Sequence, residues 1–419
     1  MSARYLGAGH TFRLDPPRLR TTGDPAEERH ATWFELFFDL VFAAALSQLA
    51  SSLARSPSAW GFVRFAGLFV VVVWAWILYA LYANRFDTDD LIFRLAKSCA
   101  MLAIAGAAVN LSDVMSGHGG TAGFALGYVV LRSLLIALYV RARKHTDGSA
   151  RQLTEVYIVG YSATTAIWTA SIWVTTPLCY WLWLAAMVAD LAIAPEAWAK
   201  LKARPIVVSH LTERFGTFFI IVLGRAVASL VADLAGVDLT LRSWVLAGLC
   251  FLTALCFWWI YFDLADTSVV GRGVLGLVYV YSHFLLLTGV GAFGVGSALV
   301  VPEAARYGLT AGARWALAGG VSAFALSLAA LHIGAEWTSM SDRAFLSRLV
   351  LAGLALVLAD AGGGMAPVVF VGLLTCAVFG QLMIEALTPR EGAATVLQAT
   401  PPAPPRGQEP ALDAPAPAA

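Results

Sequence analysis

Two acidic residues, Glu35 and Asp39, lie four positions apart in the hydrophobic sequence of residues 33–42. This spacing places both side chains on one face of a helix. The hydrophobic stretch continues to about Leu53, which at about 1.5 Å per residue is long enough to cross a bilayer. Carboxyl groups inside a membrane cost free energy unless they are paired, hydrated or protonated. They are typical of functional sites. We therefore take this pair as a candidate site for a cation or a proton.

Other charged residues lie deep in other hydrophobic segments. Depth in the membrane is counted at about 1.5 Å per residue from the predicted cytoplasmic end of each span. Asp39 then lies about 12 Å deep and Arg132 about 13 Å deep. Opposite charges at one depth can pair, so we predict an Asp39–Arg132 ion pair, which either sets the charge state of the site or only fastens two helices. Arg225 and Asp360, both about 20 Å deep, form a second predicted pair.

A further group of charged residues lies nearer the cytoplasmic ends of the hydrophobic segments. Its members are Glu35, Lys97, Asp190, Glu213 and Arg214. Two interpretations stay open for them. Long side chains near a span end can simply reach the interface, which is ordinary snorkelling. Alternatively, these residues form a polar vestibule that leads to Asp39, in which Glu35 relays protons.

The remaining polar groups indicate little enzymatic chemistry. His283 lies one helical turn after Tyr279 and is either a proton acceptor or a hydrogen-bonded core histidine. The five cysteines have no CxxC or Cys/His spacing, so we predict neither a zinc site nor a disulfide framework. No Walker-type, HExxH or GxSxG motif occurs, and we predict no cofactor and no catalytic residues. A formal charge of +1 without a basic face excludes a nucleic-acid partner.

The composition determines which elements position these residues. The chain has 419 residues, of which 59% are hydrophobic and 13% charged, and its mean hydropathy is +0.73. These values are typical of an all-α polytopic membrane protein whose main partner is the lipid bilayer. We predict about twelve transmembrane helices from continuous apolar runs. They lie near residues 32–53, 60–82, 91–113, 121–141, 154–174, 177–194, 212–232, 243–263, 275–300, 313–333, 345–361 and 366–387.

The loops predict the orientation. If the N-terminus is inside, most arginines and lysines between the spans fall on the cytoplasmic side, and the outer loops keep only Arg55, Arg242, Arg306 and Arg314. Positive residues mark the cytoplasmic side. We therefore expect a multi-pass protein of the bacterial cytoplasmic membrane with both termini in the cytoplasm. No cleavable signal peptide is indicated at the N-terminus.

The two halves of the chain resemble each other. Phe34 and Phe38 align with Phe215 and Phe219 at a constant offset of 181. We predict two six-helix repeats, which are parallel because each has an even number of spans, although chance similarity between phenylalanine-rich helices is the alternative. The predicted units are a disordered cytoplasmic tail (1–30), repeat one (31–194), a cytoplasmic linker (195–211), repeat two (212–387) and a disordered Pro/Ala-rich tail (388–419).

Three motifs carry a resemblance to a known family. They are residues 31–42 (ATWFELFFDLVF), 211–224 (LTERFGTFFIIVLG) and 281–287 (YSHFLLL). Together they resemble the bacterial low temperature requirement A family over about residues 30–387. The resemblance implies a link to growth in the cold but no particular reaction. Members of this family commonly have glutamate directly after the residue that corresponds to Gly224, and this chain has Arg225 instead.

We therefore predict a secondary transporter or ion permease with its site between the two halves. Asp39 and Glu35 would bind a cation or proton, Arg132 would set their charge state, and Arg225 would compensate in the second half. Two other classes stay open. One is a membrane-embedded enzyme that acts on lipids, and the other is a non-catalytic membrane scaffold or stress sensor.

Overall fold

The computed structural model describes residues 14–19, 32–87, 89–200, 208–264, 274–305, 307–334 and 343–388. The described residues of the first half contain seven helices, of which α4 is a short one. These are α1 (Trp33–Arg55), α2 (Ala59–Arg85), α3 (Leu91–Val109), α4 (Leu111–Ser116), α5 (Thr121–Arg143), α6 (Gly148–Ala170) and α7 (Leu178–Lys200). The described residues of the second half contain six. These are α8 (Val208–Ala235), α9 (Leu241–Trp259), α10 (Val274–Val300), α11 (Ala311–Gly334), α12 (Arg343–Ala361) and α13 (Pro367–Leu387).

The distribution of side chains is that of a membrane protein. In the described residues, ten helical segments are long and apolar enough to cross a bilayer. Large apolar side chains such as Leu102, Val159 and Val357 lie exposed on the outer surface of the helices, whereas Asp39, Arg132 and other charged residues are buried between them. This arrangement suits a hydrocarbon surrounding, in which apolar groups face outward. The all-helical, polytopic prediction is confirmed, while the exact number of crossings stays a prediction because it depends on α6 and α7.

Local sequence signals explain where several helices begin. Thr32 and Glu35 form a capping box at the start of α1, in which each side chain accepts the other's backbone N–H. Ser58 caps α2, and Asp90 caps α3 by accepting a hydrogen bond from the backbone of Phe93. Such caps satisfy backbone donors that the first helical turn leaves unpaired. Glu35 therefore has a structural role as well as being a candidate for chemistry.

The two halves show the same order of helix neighbours. In the first half, α1 contacts α2 and α3, and α3, α5, α6 and α7 then pack in sequence. In the second half, α8 contacts α9 and α10, and α10, α11, α12 and α13 follow in sequence. A short 3-10 turn precedes the last helix of each half, at Ser171–Trp173 and Gly362–Gly364. The correspondence is incomplete, because α9 also packs against α13, and the repeat stays a prediction. Contact between the halves is made mainly by α1 and α2 with α8 and α10.

Two predicted boundaries are corrected. In the segment predicted as a disordered N-terminal tail, β1 (Arg18–Leu19) pairs antiparallel with β2 (Phe86–Asp87), and Arg141 binds the Asp15 carbonyl at 2.6 Å. The described residues of this segment are thus tied to the loop after α2, while 1–13 and 20–30 lie outside the described residues. The linker is also shorter than predicted, because α7 continues to Lys200 and α8 begins at Val208. Residues 389–419 of the predicted C-terminal tail lie outside the described residues.

Helices α10 and α11 approach closely at two glycines. A Cβ atom added to Gly320 would lie 2.6 Å from the carbonyl oxygen of Gly289 and 2.6 Å from the backbone nitrogen of Phe293. Backbone atoms cannot move away as a flexible side chain can. Small residues at such a crossing allow two membrane helices to pack backbone against backbone.

We expect Gly320→Leu to destabilise the protein by about 1–3 kcal/mol or more, because the added side chain must separate α10 from α11. The effect is measured by heating the protein in detergent and determining the fraction that remains monodisperse at each temperature. Gly319→Leu is a matched control, since a Cβ atom at the adjacent Gly319 has no neighbour within 4 Å. Equal losses in both variants would show that the crossing is not the sensitive feature.

Candidate functional site

The carboxylate of Asp39 lies where helices from both halves meet. Asp39 on α1 is completely buried. Its Oδ1 atom accepts a hydrogen bond from Trp76 Nε1 of α2 at 2.6 Å and another from Arg214 Nη2 of α8 at 2.7 Å. The ion pair with Arg214 therefore joins the first half of the chain to the second.

This ion pair keeps hydrogen-bonding capacity that the described residues do not use. Asp39 Oδ2, Arg214 Nε and Arg214 Nη1 are buried and have no hydrogen-bond partner among them. Buried polar atoms without partners cost free energy, and buried ion pairs are favourable only when their other donors and acceptors are also satisfied. The pair is therefore incompletely satisfied, with one acceptor atom and two donor atoms that have no partner among the described residues.

Aromatic rings surround the pair. The ring of Trp76 stacks on Phe218 with centroids 4.2 Å apart, and the Arg214 guanidinium lies 5.7 Å from the Trp76 ring. Lys97 Nζ of α3 lies 4.6 Å from the ring of Phe38, next to Asp39 in sequence. Cations bind favourably to such ring faces, and apolar surroundings strengthen the attraction between charges. The site thus combines one carboxylate and two basic residues in a buried aromatic shell.

A second layer of polar residues lies one helical turn nearer the N-terminal end of α1. Glu35 Oε2 accepts the backbone N–H of Thr32 at 3.0 Å and lies 3.7 Å from Nε2 of His210, which is on α8. His210 Nδ1 lies 3.4 Å from the amide nitrogen of Asn84 on α2. Glu35, Asn84 and His210 are all buried. The two acids therefore occupy successive layers of one interface, and each faces a basic residue of α8.

The predicted Asp39–Arg132 pair is wrong. Arg132 on α5 pairs instead with Asp190 on α7, with Nη2 2.9 Å from Oδ1. Thr164 and Thr165 of α6 accept further bonds from Arg132, and Trp74 Nε1 of α2 donates to Asp190 at 3.2 Å. Depth along a span does not say which helices are neighbours. The sixth predicted helix also ended at residue 194, whereas α7 continues to Lys200, so the predicted depth of Asp190 was too small.

The snorkelling interpretation is wrong for most of the charged residues near the span ends, because their side chains are buried and do not reach the interface. Glu35, Lys97, Asp190 and Arg214 are at most 1% exposed, and Glu213 is half-buried. One physical reason is helix length. Because α8 begins at Val208, Arg214 lies six residues inside it, as Asp39 lies six residues inside α1. The residues do not form one vestibule, since Asp190 belongs to the separate network around Arg132.

The predicted Arg225–Asp360 pair is also wrong. Arg225 Nη1 on α8 donates to Ser229 Oγ at 2.7 Å. Asp360 is exposed near the end of α12, where its backbone carbonyl accepts a bond from Arg314 at 3.2 Å. Helix α12 packs mainly against α11 and α13. Equal depth again did not identify neighbours.

His283 has a hydrogen bond at each ring nitrogen. Nδ1 lies 2.6 Å from the Tyr279 carbonyl and Nε2 lies 2.9 Å from the Tyr261 hydroxyl. The ring is completely buried and packs against Phe215. This is the arrangement of a hydrogen-bonded core histidine. Phe215 in turn lies edge-on to the ring of Trp76 at the Asp39 site, with centroids 5.3 Å apart.

A recess of about 620 Å³ lies between the C-terminal ends of α1, α8 and α10, and we call it the α1/α8/α10 recess. Its walls include Ala50, Arg225 and Gly294. The same three residues also line a narrow extension of about 10 Å³ that reaches Ala43. Ala43 is one helical turn, about 6 Å, from Asp39. The recess therefore descends along the interface between the halves and ends close to the Asp39–Arg214 pair.

Sequence reasoning missed several members of these networks. His210 and Asn84 contact the Glu35 layer, and Trp76 donates to Asp39, but none of the three was among the predicted site residues. A further buried pair joins α12 to α13, where Arg348 Nε lies 2.8 Å from Glu385 Oε1. An acid inside the last apolar segment was the available signal for this pair. Among the described residues, no three His, Cys, Asp or Glu side chains converge as a metal site would require.

Comparison with known proteins agrees with the resemblance seen in the motifs. Residues 30–383 match the family described as bacterial low temperature requirement A protein (LtrA). The chain belongs to this family. It is also 26% identical to an uncharacterized protein of Rhizobium meliloti (strain 1021) over 312 residues. This alignment covers 68% of this chain and 74% of the Rhizobium protein. The LtrA match includes Asp39, Trp76 and Arg214, so the whole interface site lies inside the family region.

Proposed function

We propose that this LtrA family protein is a secondary transporter or ion-conducting permease whose path runs between its two halves. The observation that carries the proposal is the Asp39–Arg214 pair. It is buried, it joins α1 to α8, it has unused hydrogen-bonding capacity, and it lies one helical turn beyond the end of the α1/α8/α10 recess. A recess that leads towards the pair from one side is what a path between the halves requires.

The geometry suggests how such a path would work. When Asp39 is ionised, its attraction to Arg214 holds α1 against α8 and closes the interface. A proton or a cation on the Oδ2 atom competes with Arg214 for the negative charge, and it therefore favours separation of the two helices. Glu35, in the next layer, then receives the ion on the side of the N-terminal helix ends. Arg132 does not take part in this scheme, because Asp190 already neutralises it.

The direction of the path follows from the orientation predicted by the loops. With both termini in the cytoplasm, the C-terminal ends of α1, α8 and α10 lie at the outer face of the bacterial cytoplasmic membrane. The recess would then open outward, and the Asp39–Arg214 and Glu35–His210 layers would close the cytoplasmic side. This conformation corresponds to an outward-facing state of an alternating-access cycle.

Ion flux into proteoliposomes tests the proposal. The purified full-length chain is reconstituted into vesicles that contain a trapped pH dye. A gradient of pH, of Na⁺ or of K⁺ is then applied across the membrane, and the dye reports the change of internal pH. We expect ion movement above that of protein-free vesicles and of vesicles that contain heat-inactivated protein. Vesicles that remain as tight as the protein-free control under all three gradients would contradict a permease for these ions.

A further inference from the structure

We infer that the α1/α8/α10 recess binds an anionic oxygen group, a carboxylate or a phosphate, at Arg225. This site differs from the Asp39 site, which would take a proton or a cation. The inference concerns binding alone, so it stands or falls independently of transport. It depends on the side chains that line the recess and on the lack of a carboxylate beside Arg225 among the described residues.

Arg225 differs from three other arginines that are buried between the helices. Arg132, Arg214 and Arg348 each form an ion pair with a carboxylate. Arg225 is half-buried, and among the described residues no carboxylate lies within 4.0 Å of its guanidinium. Its hydrogen bond to the Ser229 hydroxyl leaves other N–H donors unused. A guanidinium without an acid, inside a membrane segment, is a ready binding group for an anion.

The position of Arg225 in the recess supports the same conclusion. Arg55, Asp233 and Glu303 also line the recess, so both signs of charge occur on its walls. Arg225 is the charged residue that lines both the wide recess and its narrow extension, whose other walls are apolar or glycine. An anion that moves inward along the interface therefore meets a positive charge at the narrowest point. Low-dielectric walls strengthen this attraction.

The neighbouring side chains indicate what kind of anion fits. Ser229 lies beside the guanidinium and can donate its hydroxyl hydrogen to a second oxygen of the ligand. Ala50 of α1 and Gly294 and Leu299 of α10 supply apolar surface in the recess. An anionic oxygen group attached to an apolar body fits these surroundings better than a halide ion. A soluble carboxylate and the phosphate of a lipid headgroup share this chemistry.

Thiol labelling at Ala298 tests the inference. Ala298 lines the recess on α10 and is half-buried. The Ala298→Cys chain is reacted with a sulfonatoethyl methanethiosulfonate, which is an anion, and with its trimethylammonium counterpart, which is a cation. Rates for the parent chain, with its five native cysteines, are subtracted. We expect the anion-to-cation rate ratio to fall about tenfold when Arg225→Gln is added, as loss of one nearby charge predicts. An unchanged ratio would overturn the inference.

Arg55→Gln is the matched control. Arg55 also lines the recess, but it binds the hydroxyl groups of Ser52 and Ser112 near the end of α1. We expect the ratio to change less than about twofold, because a charge near the mouth is screened by solvent. An equal fall in both variants would mean that the recess attracts anions generally, and it would overturn the assignment to Arg225.

Protection of the same thiol identifies the source of the anion. The Ala298→Cys chain is labelled in phosphatidylcholine nanodiscs with sodium benzoate or inorganic phosphate added, and in nanodiscs that contain phosphatidylglycerol. Slower labelling with the soluble anions supports a soluble ligand, and slower labelling with phosphatidylglycerol alone supports a lipid headgroup. Both effects should disappear in Arg225→Gln. Absence of protection in every arm, or protection that persists without Arg225, would overturn the inference.

Discussion

Asp39→Asn is expected to abolish ion flux in proteoliposomes. Asparagine keeps the shape of the side chain, and its oxygen can still accept the bonds from Trp76 and Arg214. It cannot hold a proton or neutralise a cation, so the step that separates α1 from α8 is lost. We expect the rate to fall at least about 100-fold, which corresponds to about 2.7 kcal/mol. Initial flux rates, normalised to the amount of monodisperse protein in the vesicles, measure the effect.

A second variant separates loss of charge from loss of fold. Asp39→Asn leaves Arg214 buried without its acid, which by itself destabilises a protein. The double variant Asp39→Asn/Arg214→Gln removes both charges and keeps both shapes. We expect it to fold at least as well as the single variant and still to lack flux. Asp360→Asn changes an exposed acid and should leave the rate unchanged. Normal flux in the folded double variant would remove Asp39 from the transport path and make the pair architectural.

Breaking the Arg132–Asp190 network is expected to have the largest effect on stability. Both residues are buried, and Thr164, Thr165 and Trp74 complete their hydrogen bonds across α2, α5, α6 and α7. Removing one partner leaves a buried charge without compensation, which costs about 3–5 kcal/mol. We therefore expect Arg132→Gln or Asp190→Asn to lower the unfolding temperature in detergent sharply and to reduce the yield of monodisperse protein.

The surface pair Arg143–Glu155 provides the matched control. Both side chains are more than 40% exposed, and their ion pair also joins α5 to α6. Exposed pairs contribute about 0–1 kcal/mol, so Arg143→Gln should leave the unfolding temperature nearly unchanged. The double variant Arg132→Met/Asp190→Leu, which removes both buried charges, should recover much of the stability lost by the single variants. A single variant as stable as the parent chain would show that the network does not hold these helices together.

The membrane setting of the site was predictable because it depends on composition. Long apolar runs must be helices in a bilayer, since no water is available for backbone groups. The positions of Glu35 and Asp39 in such a run predicted buried acids beside basic residues, and both acids are buried beside basic residues of α8. Helix bounds were less predictable at the end of α7 and the start of α8, where both helices extend into the polar connection between them. Hydropathy falls there although helical hydrogen bonding continues.

The partners of the buried charges were not predictable in the same way. Depth is a single coordinate along the membrane normal, and several helices carry charges at similar depths. Asp39 was assigned to Arg132 on this basis, whereas α1 packs against α8 and places Asp39 beside Arg214. Pairing also depends on which side of each helix faces its neighbours. Sequence distance is no guide to this, because Asp39 and Arg214 are 175 positions apart.

The amino-acid sequence by itself determined that this protein is helical, embedded in a membrane and a member of the LtrA family, because hydrophobicity, span length and local motifs are properties of short segments. The tertiary structure decided which acid meets which base, which helices enclose the recess, and that Arg225 has no acid beside it among the described residues. These features arise only when distant helices pack together, since a buried charge is neutralised by whichever side chain the packing brings within a few ångströms.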